Sequence, residues 1–366
     1  LEMDSTNVQA LGLYADFCSQ QRDTKGYLGA LQRLYALDGF PLERKIQLFE
    51  NLTKDRKFYG QNYFALGAMA TAMAMRHPDD KRVVDIYGDH LLAGGEVEAA
   101  LAHFKLHLKD EPPQMDYYMA VIDLEDYLAR PDSVDVYVQQ AVKLFPNDPA
   151  LYIRKANRQY IKGDLHGSVA TFEQALEIAP TDSLKGQIWG YIGDTYHAMV
   201  ERLDAGAKAD TTGFKLRINK KKATQQRNKS YETSLALYEN NAMTLNNYAY
   251  FISEETDDAE LLEKAMKMSA KAIYLEKGNS TYLDTFAWIL YKLGRYEQAR
   301  KHMRQALSLD RTESAELPLH YGDILFALNE RFMAETYWQK AVERGYDKEE
   351  MEQHNDRITK PDTKKK

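Results

Sequence analysis

The chain has 366 residues, 44% of them hydrophobic and 28% charged, and a formal net charge of −7. That balance describes a folded chain rather than a disordered one, and its sign argues against general nucleic-acid binding. A single cysteine, Cys18, excludes an internal disulfide framework and a multi-cysteine zinc site, and no run of about 18 apolar residues is present to span a bilayer.

The chain begins at Leu1 rather than Met. A removed targeting segment therefore stays compatible with it, and the compartment, cytoplasmic or exported to the periplasm or envelope, is left open. In chain order, LYADFC, with Tyr14, Ala15 and Cys18, predicts a first amphipathic helix. Residues 41–78 predict a degenerate helix pair whose second member is the Ala/Met-rich ALGAMATAMAMRHP. Three segments then close on Pro112, Pro146 and Pro180, spaced 34 residues apart. Counting back from each proline, one slot holds Gly88, Ile122 and Ala156. In the first segment Gly88 is followed by Leu91, Gly95, Ala100 and Phe104; in the third, Ala156 is followed by Gln159, Gly163, Ser168, Phe172 and Ala175. The slot recurs as Gly193 in WGYIGDTY, Ala249 in NNYAYFIS, Ala287 in YLDTFAWILYKLGRYEQARKHMRQALSLD and Gly322 in the last unit. Residues 347–366 are polar, end in Lys364-Lys365-Lys366, and predict a frayed tail.

This recurrence resembles the tetratricopeptide repeat family, in which each unit is a helix pair with a small residue in each helix and a closing proline. The match is fullest through Ala287, Leu290, Gly294, Ala299, Ala306 and Leu307, and the resemblance runs over roughly residues 7–346. It implies an all-α fold, a right-handed α-solenoid of about nine to ten helix pairs, written as one array over residues 3–346. Small side chains are expected to face each other where paired helices cross, Ala287 against Ala299, because close approach of two helices needs small residues at the contact. A single pair cannot bury its own apolar face, so each requires its neighbours.

Spacing between equivalent slots widens to 56 between Gly193 and Ala249, which implies about 22 inserted residues. They fall in residues 201–227, where eight Lys/Arg stand against three Asp/Glu. Thr211-Thr212-Gly213 predicts a break between two extended helices. The plain reading is a solvated helical hairpin; the sharper one is a basic finger that touches an acidic surface.

Repeat solenoids present a concave surface lined by the first helix of each pair. The residue after the small slot is expected to point into it: Asp16, Asp89, Asp123, Asn157, Asp194, Tyr250, Trp288 and Asp323. One turn on come Tyr160, His197, Tyr291 and Phe326. The candidate ligand-binding set is thus Asp89, Asp123, Asn157, Asp194, Tyr250, Trp288, Tyr291 and Asp323, an acidic groove with aromatic platforms suited to a basic or polar peptide. It does not resemble the tetratricopeptide groove that captures a chaperone's terminal carboxylates, which needs Lys or Arg at these slots.

No chemistry is legible beside it. His103 and His107 stand four apart as a metal pair does, yet no third ligand follows and HExxH is absent, so no metal is assigned. Phosphate-loop and nucleophile-elbow motifs are missing, Cys18 reads as a buried thiol, and no catalytic residue or cofactor is assigned. The resemblance implies protein partners and a non-catalytic interaction scaffold. The alternatives are an enzyme or regulatory subunit with chemistry in the insertion or a missing flank, and a self-associating structural array.

Overall fold

The computed structural model describes residues 6–206 and 213–359. Among them are twenty helices and no strand. The chain divides into two compact units, Leu1–Pro146 and Asn147–Lys366.

Unit 1 holds α1 (Val8–Gln20), α2 (Thr24–Tyr35), α3 (Leu42–Thr53), α4 (Arg56–Gln61), α5 (Tyr63–Arg76), α6 (Lys81–Ala93), α7 (Val97–His107), α8 (Met115–Tyr127) and α9 (Pro131–Leu144). Residues 41–78 thus form three helices instead of two. Asp55 caps α4 by accepting from Lys57 and Phe58 N–H, and the chain turns again at Asn62 before α5. Unit 2 holds α10 (Pro149–Ile161), α11 (Leu165–Ile178), α12 (Asp182–Ala205), α13 (Lys220–Leu237), α14 (Ala242–Glu255), α15 (Ala259–Leu275), α16 (Ser280–Lys292), α17 (Tyr296–Leu309), α18 (Glu316–Ala327), α19 (Arg331–Glu343) and α20 (Lys348–Thr359).

The small slots behave as notches, but their occupants differ from expectation. A Cβ on Gly88 would lie 2.2 Å from Phe104 Cζ, one on Gly193 2.4 Å from Tyr231 Cε1, and one on Gly322 2.3 Å from Trp338 Cδ1. Each notch therefore receives an aromatic ring of the second helix, not a second small residue. The partner lies sixteen positions on in Gly88–Phe104 and Gly322–Trp338; the same step joins Ala156 to Phe172 and Ala287 to Met303, all four buried. Ala299 is buried in the same cluster as Ala287, one turn from Met303. Large-into-small packing fills the crossing at interior density, which two alanines alone would leave under-filled.

The turn inside each pair also has a fixed place. Gly95, Gly163 and Gly294 adopt φ of +75°, +82° and +73°, each seven residues after its notch. The same position holds Arg22 (φ 58°), Ala129 (φ 54°) and Asn329 (φ 64°) in three other pairs, where an L-residue is forced into the left-handed region.

Two further expectations are corrected. The C-terminal segment is not frayed over Lys348–Thr359: it forms α20, whose Met351 is buried in the cluster of Leu325, Ala334 and Trp338. Arg227, counted in the basic stretch, is 1% exposed and held by Glu255 Oε1 and Oε2 at 2.8 and 2.6 Å. Around the insertion, α12 and α13 run to 24 and 18 residues. Thr211 and Thr212 lie outside the described residues. Phe214 O and Gly163 O both accept from Arg202, and Arg217 N–H donates to His166 Nε2. Phe214 and Arg217, within the insertion, are thereby tied back to the α10–α11 turn and the start of α11.

Candidate functional site

In unit 2 the first helices of consecutive pairs share a cavity of about 350 Å³. Asn157 and Tyr160 come from α10, Tyr191, Asp194 and His197 from α12, and Asn247 and Phe251 from α14.

Asp194 owes its setting to the glycine before it. Because Gly193 has no Cβ, the Tyr231 ring lies against α12, and its hydroxyl donates to Asp194 Oδ1 at 2.7 Å. Asn247 Nδ2 donates to the same oxygen at 2.9 Å. Oδ2 receives no hydrogen bond from the described residues. Burial pushes the Asp194 carboxyl above the usual carboxylate range, while the Tyr231 and Asn247 donors and the nearby His197 pull it back. Burial, then the Asp194 charge, drives the Tyr231 hydroxyl well above its ordinary value, so it stays a donor.

His197 stacks on Phe251 with ring centroids 3.5 Å apart, and its Nε2 meets Glu201 Oε1 at 3.2 Å. Its Nδ1 is buried without a hydrogen-bond partner among the described residues. The Arg227 guanidinium lies 5.3 Å from the Phe251 ring centroid, so the ion pair with Glu255 also fixes this wall. Chemically the cavity offers one carboxylate oxygen, two side-chain amides and aromatic faces.

Of the sequence-predicted residues, the fold brings Asn157 and Asp194 together here, with Tyr160 and His197 one turn on. Asp89 and Asp123 lie exposed on α6 and α8 in unit 1. Tyr250 is half-buried beside Phe251, at 5.6 Å, and does not line the cavity; burial, then Glu254, raises its hydroxyl. Trp288 is half-buried between His320 at 4.3 Å and Tyr291 at 4.9 Å, and its Nε1 donates to Glu254 Oε1 at 2.5 Å. Asp323 is 2% exposed and accepts from Trp338 Nε1 at 2.8 Å while pairing with His354 Nε2 at 2.7 Å. It is an internal strut between α18, α19 and α20.

A rule links these cases. The residue after the notch reaches a residue two places before the notch of the next first helix, as in Asp194–Asn247 and Trp288–His320. Asp323 meets His354 of α20 in the same manner, so α20 stands where a further first helix would. The slot read as ligand-facing also staples successive helices. His320 shows the energetic side. Burial alone would depress it, but Asp284 at 2.9 Å, with Asp323 and Glu316, raises it to about 9.

Sequence reasoning missed Asn247 and Phe251, which flank Ala249 at two residues on either side. The signal was present in the polar residues at the earlier of these positions, Asn247 and His320. His103 and His107 meet Val84 O and Asp110 Oδ2, both at 2.9 Å. Among the described residues no group of three or more His, Cys, Asp or Glu is placed to hold a metal ion, and no helix is long and apolar enough to cross a membrane.

Residues 281–313 match the sequence model of the family described as Tetratricopeptide repeat. No curated protein matches the chain in sequence. The fold is similar to a chain of the APC/C hetero-tetramer Cut9-Hcn1, with a TM-score of 0.56 at 13% identity, over 90% of this chain and 62% of that one. It is also similar to human IFIT1, solved as a dimer with PPP-AAAA, with a TM-score of 0.51 at 14% identity over 96% and 81% of the two chains. YrrB, a TPR protein with an unusual peptide-binding site, aligns with a TM-score of 0.40 at 16% identity, over 60% of this chain and 97% of its own. The chain thus spans less than two thirds of the Cut9-Hcn1 chain it resembles. Residues 281–313 are thus matched as a tetratricopeptide repeat, set in a fold of notched helix pairs that share one register.

Proposed function

We propose that the chain is a non-catalytic interaction scaffold that takes a segment of a partner protein into the unit 2 cavity, with Asp194 as its charged centre. The observation that carries this reading is the half-used carboxylate. Oδ1 is saturated by Tyr231 and Asn247, and Oδ2 is left to bind. The half-exposed Asp194 carboxylate, with no hydrogen bond to Oδ2 among the described residues, gains most from a ligand that supplies donors. A peptide carries such donors in its backbone N–H groups and in Lys or Arg heads, and the Asn157 and Asn247 amides suit its backbone. Tyr160 and Phe251 supply flat surfaces at small entropy cost. Of the wider groove, Asp89 and Asp123 belong to the proposal as exposed acids of unit 1. Tyr250 stands behind Phe251, and Trp288, Tyr291 and Asp323 make their contacts outside this cavity.

The test is selection from a random displayed-peptide library on the immobilised chain, followed by titration of a selected peptide against Asp194→Asn. Enrichment of basic residues and a loss of about tenfold in the variant are expected. Peptides that bind the variant equally well would remove Asp194 from the site.

A further inference from the structure

A cleft of about 760 Å³ in unit 1 lies where the short helix α4 departs from a plain helix pair. We propose that this cleft is a second recognition site, which takes the side chain of a lysine or arginine from a partner's segment. The inference rests on the reading of the chain as an interaction scaffold but uses none of the residues of the unit 2 cavity.

Phe49 of α3 and Ile86 of α6 give the cleft an apolar lining, and Glu50 and Asp89 bring carboxylates to it from the same two helices. A lysine or arginine has this division of character, an apolar stem and a charged head. The state of the charges decides which sign the cleft accepts. Arg82 is engaged by Asp80 and Glu43, each at 2.8 Å, and Lys81 engages Asp85 at 3.0 Å. Asp89, exposed as a residue, has no hydrogen bond or ion pair among the described residues, although partial enclosure of its carboxyl and then the neighbouring Asp85 push it upward. A cation placed beside it would relieve both effects.

The third wall is fixed and, apart from Arg56, uncharged. Tyr59 of α4 bonds His90 Nδ1 at 2.7 Å, and the His90 ring stacks on Tyr63 at 4.2 Å. Gly67 makes room for it, since a Cβ there would fall 2.6 Å from His90 Nε2. Burial holds His90 below its ordinary value, so at neutral pH it adds no repelling charge. Arg56, exposed at the start of α4, is the one lining cation without an ion pair among the described residues, and it stands on the element that walls the cleft. The balance that remains favours a cationic head at Asp89.

The experiment titrates the full chain, labelled at isoleucine δ1 methyls, with N-acetyl-Gly-Lys-Gly-amide and with the same peptide carrying norleucine in place of lysine. Ile86 reports the cleft, and Ile192, beside the unit 2 cavity, reports the other site independently. The lysine peptide is expected to shift Ile86, the norleucine peptide to bind at least about tenfold more weakly, and Asp89→Asn to lose a similar factor for lysine alone. Equal binding of both peptides, full binding by Asp89→Asn, or a silent Ile86 would each overturn the proposal. Ile86 shifts with a silent Ile192 would leave the cleft standing and count against the unit 2 cavity as a lysine site.

Discussion

Tyr231 fills the notch of Gly193 with its ring and reaches the next residue, Asp194, with its hydroxyl at 2.7 Å, so one side chain both locks the α12–α13 crossing and tunes the cavity. Gly193→Ala would place a methyl 2.4 Å from that ring. A loss of about 1–3 kcal/mol is expected from overpacking, with the Asp194 bond displaced as well. Urea unfolding of the variant measures it, and an unchanged midpoint would show the crossing can relax.

Asp194→Asn separates binding from stability. Both donors to Asp194 use Oδ1, an acceptor that asparagine keeps. The folded carboxyl is raised, so the native state holds its proton more tightly than the unfolded chain does. Parent stability therefore falls as pH rises from the ordinary aspartate range of about 4 through the folded value. The variant should lack that fall and be at least as stable as the parent at pH 7. Melting curves from pH 4 to pH 8, compared with the peptide titration, test both halves.

His320 should give a slope of the same sign in a different window. Its folded value of about 9 lies above the ordinary histidine value near 6.5. The stabilisation is complete below the lower value and is lost as pH rises through about 9. The full loss is on the order of 3 kcal/mol. His320→Gln should flatten the alkaline limb of the stability profile, and a limb that persists would place its origin elsewhere.

Ala129 sits at φ 54° in the turn where three other pairs have glycine. Ala129→Gly should stabilise unit 1 by about 1 kcal/mol, because relief of the left-handed strain exceeds the added entropy of the unfolded glycine. Thermal unfolding reads the sign directly.

Glu255→Ala would strand a guanidinium that is 1% exposed, whereas Arg227→Met would leave Glu255 44% exposed and able to hydrate. The first is expected to cost about 3–5 kcal/mol and the second less. Equal losses in the two variants would contradict this asymmetry.

The one-dimensional pattern carried the helix pairs because their period, notches and turns are local properties of the chain. A residue such as Gly88 must be small wherever a ring has to fit, and Gly95 must be permissive wherever the pair reverses. Half of the unit 2 cavity was legible for the same reason: Asn157 and Asp194, then Tyr160 and His197, recur at fixed offsets. Tyr231 was hidden because the insertion lengthens its distance from Gly193 to 38 residues, and only the fold restores the register.

The amino-acid order alone thus determined that helices pair and where each pair narrows. Tertiary structure decided which exposed-looking positions are spent internally: Asp323 on α20, Trp288 in a ring stack, Arg227 on Glu255. The physical reason is that burial depends on what the next helix brings. At both Asp194 and Asp323 the two donors share Oδ1, but α20 closes over Asp323, whereas Asp194 stays half-exposed at the cavity between α12 and α14.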